Sequence, residues 1–190
     1  VAGQGGGVIP TAVIVTRGDV DLDPILASLP KSWPVAVWDN SKRGQDLKVY
    51  GHFAILPEVE TEFVYMQDDD AICPAAALLK KWKPRYADRI FTNVGDGDTP
   101  WISWGAIFHK DLPKPAIRRY IDAYGMDDDV LLWCDLIFSA LTPWTNVDVG
   151  VEHLPWFRAP NRMVMKPTHY TEQARILDKC AALIPAEAAA

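Results

Sequence analysis

Short apolar runs alternate with stretches of helical spacing through the first half of the chain. Residues 12–16 (AVIVT) form a continuous, largely β-branched run, too short for a helix and suited to a central strand buried on both faces. Residues 21–29 are a predicted helix, with Asp21 or Asp23 available as N-cap and Pro24 tolerated in the first turn. Residues 35–38 (VAVW) predict a second strand, ended by the turn-prone Asp39-Asn40-Ser41. Residues 63–67 (FVYMQ) predict a third, which runs directly into Asp68-Asp69-Asp70. A helix over 74–82 and a short strand over 89–93 follow. After a stretch rich in Gly, Asp and Trp, residues 105–108 predict another strand. Helical spacing then returns over 114–124, at Ile117, Tyr120, Ile121 and Tyr124. A strongly apolar helix is predicted over 130–141, its start marked by Asp127-Asp128-Asp129. Weak alternation over 145–151 suggests a strand, and an amphipathic helix over 171–184 turns Ile176, Leu177, Cys180, Leu183 and Ile184 inward. This alternation predicts an α/β fold with a mostly parallel central sheet flanked by helices.

A chain of 190 residues is long enough for one domain with a real core. The expected organisation is a flexible lead-in over 1–10, one domain over 11–184 and a disordered Ala-rich tail over 185–190. With 49% apolar and 23% charged residues the composition is that of a folded protein. A net charge of −6 with no basic stripe argues against strong non-specific nucleic-acid binding, although a local patch that admits a nucleic-acid substrate stays open. Cys73, Cys134 and Cys180 stand at unrelated spacings with no CxxC pair, which fits reduced thiols in a cytoplasm. No apolar run reaches the roughly 18–20 residues of a membrane span, and residues 1–10 lack a signal-peptide pattern. The expectation is a cytoplasmic protein without a membrane span. Several tryptophans, among them Trp33, Trp101, Trp104, Trp144 and Trp156, sit near Pro or Gly, as in aromatic-walled loops.

The chemistry concentrates at the end of the third predicted strand. Side chains alternate faces in an extended chain, so Asp68 and Asp70 point one way and Asp69 the other. They stand at a strand's carboxyl end, where open α/β sheets bind ligands. Two carboxylates on one face repel unless a cation sits between them, and hard oxygen ligands favour Mg²⁺ or Mn²⁺ completed by phosphate oxygens. Asp135 is a second candidate, an isolated charge inside the apolar run 130–138 that must face a cleft or a partner.

In order and spacing these features resemble the GT-A glycosyltransferases, with likeness to exostosin-like enzymes and small phage or bacterial relatives. The Asp-x-Asp motif of that family matches Asp68-x-Asp70, and its acid opening an apolar helix matches Cys134-Asp135, with Cys134 where the family often has Glu. The resemblance spans roughly residues 11–169. It implies a single Rossmann-like GT-A domain that takes a nucleotide-diphosphate sugar, UDP-sugar favoured, with Mn²⁺ or Mg²⁺. Thr16 and Arg17 would lie near base or ribose, Asp39 would read a uracil-type edge, and Arg17 or Arg43 would meet the diphosphate. Asp70 would hold the metal, Asp68 the ribose or a metal-bound water, and Asp69 would stand beside them at the donor. His153 or His169 would complete the metal site, whereas His52 and His109 are expected to be structural. The catalytic acid or base would be Asp135, with Asp128 and Asp129 as rivals. The loop GDGDTP at 95–100 with Trp101 and Trp104 resembles an acceptor side, in which Asp96 and Asp98 take hydroxyl hydrogen bonds. Gly105 would allow the backbone to approach the donor sugar.

Two other readings remain open at this stage. One is nucleotidyl or phosphoryl transfer, weakened because no GxxxxGK phosphate loop is present. The other is a non-catalytic carbohydrate- or metal-binding module. The acceptor is open among a modified DNA base, a protein and a glycan. The compact size suggests, by analogy, a phage-type setting in a host cytoplasm.

Overall fold

All six residues of Thr11–Thr16 (β1) are buried, as expected of a strand covered on both faces. A computed structural model describes residues 8–93, 95–96 and 99–185, and the side chains of all of these except 95, 96 and 99. After β1 come α1 (Asp23–Ser28), β2 (Val35–Asp39), α2 (Gly51–Ala54), β3 (Phe63–Asp68), β4 (Ala71–Ile72) and α3 (Ala75–Lys81). β5 (Ile90–Thr92), β6 (Gly95–Asp96), β7 (Thr99–Pro100), β8 (Trp104–His109), α4 (Pro113–Tyr124) and α5 (Asp128–Leu141) follow. The chain continues through β9 (Trp144–Asn146), β10 (Glu152–His153) and α6 (His169–Ala181).

The fold is α/β. Its central sheet has six strands in the order β2-β1-β3-β8-β5-β9. Every pairing is parallel except those of β8, which runs against both β3 and β5. Alternation along β1 divides the core. Ala12 and Ile14 pack with Phe63, Tyr65 and Ile107 of the sheet and with Ile25 of α1 and Leu78 of α3. Val13 and Val15 join Val64, Met66 and Phe108 on the other face, under Ile117 of α4, Ile137 of α5 and Ile176 of α6.

The succession β1, β2, β3 sets the position of the cleft. β2 lies on one side of β1 and β3 on the other, so the winding reverses between them. A crevice opens at the carboxyl ends of two strands at such a reversal. Thr16 ends β1 and Asp68 ends β3, with Val15 opposite Asp68 in register.

The predicted elements are present, with shifted ends. The strand expected over 145–151 stops at Asn146: Val147 N–H still reaches the Thr92 carbonyl at 2.9 Å, but Val149 N–H is taken by the Asn93 side chain and Gly150 turns at φ +84°. α1 starts at Asp23, whose N–H is accepted by Asp21 Oδ1 at 2.9 Å. Unforeseen were the helical run over 48–58 and the small antiparallel pair of β10 with β4. Among the described residues no helix is long and apolar enough to cross a membrane. The expected lead-in and tail lie outside the described residues except for 8–10 and 185.

Candidate active site

A cleft of about 1150 Å³ opens at the carboxyl ends of β1 and β3. Thr16, Arg17, Asp68, Asp69, Asp70 and Asp135 all line it. The acidic turn is braced from three directions. Asp68 N–H donates to the Ser103 carbonyl at 2.8 Å, Leu154 N–H to the Asp70 carbonyl at 2.9 Å, and Trp156 Nε1–H to the Asp69 carbonyl at 2.7 Å. Just before it, Gln67 Oε1 accepts from the Tyr65 hydroxyl and from Cys73 N–H, which pins both ends of the turn to the core.

The three carboxylates meet different environments. Asp69 is buried and paired at 2.9 Å with Arg162, itself only 10% exposed along its side chain. Asp68 and Asp70 have no such cation, and each has one carboxylate oxygen shielded from solvent without a hydrogen-bond partner. Burial lifts the Asp70 carboxyl to about 6, helped by the charge of Asp69 and opposed by Arg162. Burial also lifts Asp68 well above the usual carboxylate range, with Asp70, Asp135 and Asp69 adding repulsion and the Ser103 hydroxyl working against it. Charge repelled by burial and by neighbours at once is the condition a cation relieves.

Asp135 faces the same space from α5. The helix leaves regular geometry at Trp133 (φ −124°, ψ 18°), two residues earlier, and Trp133 also lines the cleft. Burial lifts the Asp135 carboxyl to about 6, opposed by the backbone N–H groups of its own turn. Its charge is felt at Asp68, so the two acids stand near one another in the cleft.

Aromatic rings form another wall. Trp101 and Trp104 stack with centroids 5.6 Å apart, His153 stacks on Phe157 at 4.0 Å, and Trp104 meets His153 edge-on at 4.8 Å. β10 carries His153 opposite Ala71, directly after Asp70. His169 lies elsewhere in the cleft, packed on Trp133 with Nδ1 buried and without a partner. Burial lowers the pKa of both histidines. Among the described residues no three His, Cys, Asp or Glu side chains gather closely enough to hold a metal by themselves, so neither histidine closes a triplet with the carboxylates.

Several expected residues do other work. Asp39 is outside the cleft lining; its carboxylate accepts from Ser41 and pairs with Lys42 at 2.8 Å, which lowers its pKa. Arg43 makes a double contact with Glu58 and covers the Trp38 ring at 4.4 Å, also outside the cleft. Asp129 ties α5 to α6 through Arg175 and Lys179, and these cations hold its carboxyl far below the usual range. Gly105 is the residue skipped where the β3–β8 register shifts. Its φ is +107°, and a Cβ there would stand 2.4 Å from Cys73 Sγ. The glycine therefore serves a bulge and an internal contact. Asp98 lies outside the described residues, and Asp96 is described by its backbone alone, paired with Thr99 across β6 and β7.

Arg162, Ser103 and His52 were not singled out from the sequence as site residues. Arg162 comes from the aperiodic segment between β10 and α6 and keeps Nε and Nη2 buried without partners. Arg17 reaches the same segment, donating to the Asn161 carbonyl at 3.1 Å and to Asp19 at 2.6 Å. Only the density of basic residues over 158–166 marked it in the sequence. No family model matches the chain, and no curated protein matches it as a relative.

Proposed function

We propose that this chain is a GT-A-type glycosyltransferase that binds a nucleotide-diphosphate sugar, UDP-sugar favoured, with Mn²⁺ or Mg²⁺ and passes the sugar to a hydroxyl acceptor. The observation that carries the reading is the pair of uncompensated carboxylates, Asp68 and Asp70, at the carboxyl end of β3 beside the winding reversal. Their unpartnered oxygens fit a hard divalent cation, and two carboxylates are what such an ion takes when substrate phosphates supply the rest. When bound, that cation would neutralise the charge that builds on a departing diphosphate.

The chain's own groups divide the remaining work. Arg162 and Arg17 line the cleft, where guanidinium donors can meet phosphate oxygens, and Nε and Nη2 of Arg162 are buried without partners. The rings of Trp101, Trp104 and Phe157 offer faces against which a sugar can pack. Asp135 is the group to take the acceptor's proton: near 6 its carboxyl is a better base than an ordinary aspartate, yet it is ionised at neutral pH.

Calorimetric titration of UDP with Mn²⁺ and then with EDTA, repeated on Asp70→Ala, tests the donor site. Binding that needs both the metal and Asp70 is expected, followed by metal-dependent hydrolysis of a UDP-sugar without acceptor. Binding without hydrolysis would return the protein to a binding module. If UDP, GDP and CDP all fail to bind, the transferase reading falls.

A further inference from the structure

The run Lys166-Pro167-Thr168 before α6 has the composition of a helix start, with a proline and a hydroxyl suited to capping. The cap is not made. Thr168 is itself helical (φ −88°, ψ −3°), and its hydroxyl donates to Glu172 Oε1 at 2.7 Å. His169 N–H turns back to the Lys166 carbonyl at 3.0 Å, and Glu172 N–H bonds the Thr168 carbonyl at 2.9 Å. The N–H groups of Tyr170 and Thr171 are left without an acceptor among the described residues. Two free donors at the positive end of a 13-residue helix attract an anion.

Water alone can satisfy a helix start, but it does not account for His169. This side chain is only 7% exposed, and what remains of its surface opens on the cleft that it lines. Its ring is held against Trp133 at 5.2 Å and Tyr170 at 5.1 Å. Among the described residues neither ring nitrogen has a hydrogen-bond partner, and Nδ1 is shielded from solvent as well. An apolar ring would fill this position without stranding two polar atoms. The charges felt at the ring are those of Glu172 and Lys166, not those of Asp68, Asp70 or Asp135, so this end of the cleft stands apart from the acidic turn. Glu172 is engaged by the Thr168 hydroxyl, whereas Lys166 is exposed and has no carboxylate partner among the described residues.

We propose that the first turn of α6, with Lys166 and His169, is an anion subsite separate from the donor site, and that it receives a phosphate group carried by the acceptor. Free backbone N–H groups beside an ammonium are the combination that cradles phosphate at helix starts. The cleft has room for two ligands: its 1150 Å³ exceeds the roughly 300–1,000 Å³ of a pocket for one small molecule. The assignment to the acceptor rests on the reading of the acidic end as the donor site; the subsite itself does not.

The test has two arms. In the first, backbone ¹H–¹⁵N spectra of the protein are recorded while inorganic phosphate is added. Saturable shifts of the Tyr170 and Thr171 amides are expected. Lys166→Gln should weaken binding about tenfold, the loss of one charge-assisted hydrogen bond. His169→Phe, which keeps a ring against Trp133, should weaken it by a similar factor. Both variants are first checked by thermal unfolding, and Lys166 is exposed enough for its replacement to fold. No saturable shift in wild type, or wild-type affinity in either folded variant, overturns the proposal. In the second arm the titration is repeated with UDP and Mg²⁺ held at saturation. Phosphate that still binds supports a subsite for the acceptor; displacement by UDP gives the subsite to the donor and overturns that assignment. If wild type binds no UDP, the donor-site reading fails, and the first arm still decides whether the start of α6 holds a phosphate.

Discussion

This chain contains two runs of three aspartates, and they behave in opposite ways. Asp127-Asp128-Asp129 opens α5. Asp127 caps the helix by accepting from the N–H groups of Asp129 and Val130, and Asp129 is held by Arg175 and Lys179. Asp68-Asp69-Asp70 ends β3 with a cation for its middle member alone. The first run is explained by the fold, and its Asp129 carboxyl is pushed down; in the second, Asp68 and Asp70 are not so explained, and their carboxyls are pushed up. Identical residues in a row therefore carry little information. What separates a structural acid from one that awaits a partner is whether an ion pair offsets its burial, as Arg175 and Lys179 do for Asp129 and no Lys or Arg among the described residues does for Asp68 or Asp70.

The sharpest way to break this contrast is to neutralise one member of each run. Asp70→Asn should weaken nucleotide binding in Mn²⁺ by on the order of 100-fold or more, with the unliganded protein as stable as wild type or more so. Asp129→Asn should leave binding unchanged but lower the melting temperature, for a loss of about 1–2 kcal/mol. Calorimetry and thermal unfolding on the same two preparations check both halves. Equal effects from the two substitutions would erase the distinction.

Acidity sharpens the comparison further. Asp129, depressed in the folded state, contributes stability above the unfolded carboxylate range that is lost as pH falls through its folded value. Asp70 and Asp135, raised to about 6, act in reverse. Between the ordinary carboxylate range and about 6 the folded protein binds protons that the unfolded chain has released, so stability falls as pH rises and stays lower above. Mn²⁺ should therefore stabilise the fold more at pH 7.5 than at pH 5; at roughly 100 times its Kd at pH 7.5 the stabilisation there is about 2.7 kcal/mol, read as a rise in melting temperature. A metal effect of equal size at both pH values would sink this account.

Smaller effects belong to the helix start. Asp127→Ala removes the cap and should lower stability by about 1 kcal/mol, read from urea unfolding. Asp128→Asn, with no partner to lose, should change stability by less than about 0.5 kcal/mol and leave nucleotide binding intact.

The sequence revealed these regions unequally. The AVIVT and FVYMQ runs identified the two strands that flank the cleft because strands buried on both faces read as unbroken apolar stretches. Asp135 stood out because a charge among Leu, Trp, Ile and Phe has to face something polar. Arg162 and His52 gave no such signal, since each lies in a stretch without periodicity and reaches the site through contacts far along the chain. Gly105 shows the opposite difficulty. A glycine required by a bulge against Cys73 and one required by a ligand look alike until the neighbouring atoms are known.

The reversed direction of β8 has a consequence of another kind. A strand that runs against its neighbours begins where they finish, so residues 93–103 leave β5 and enter β8 at one end of the sheet. Both ends of this excursion are fastened: Asn93 N–H to the Gly105 carbonyl at 2.8 Å, and the Asn93 side chain to the Gly150 carbonyl at 2.8 Å. Pro100 and Trp101, late in this connection, line the cleft. The reversed strand thus puts part of the cleft wall on a connection and not on a strand of the central sheet, where a side chain can be exchanged without touching the pairing of that sheet.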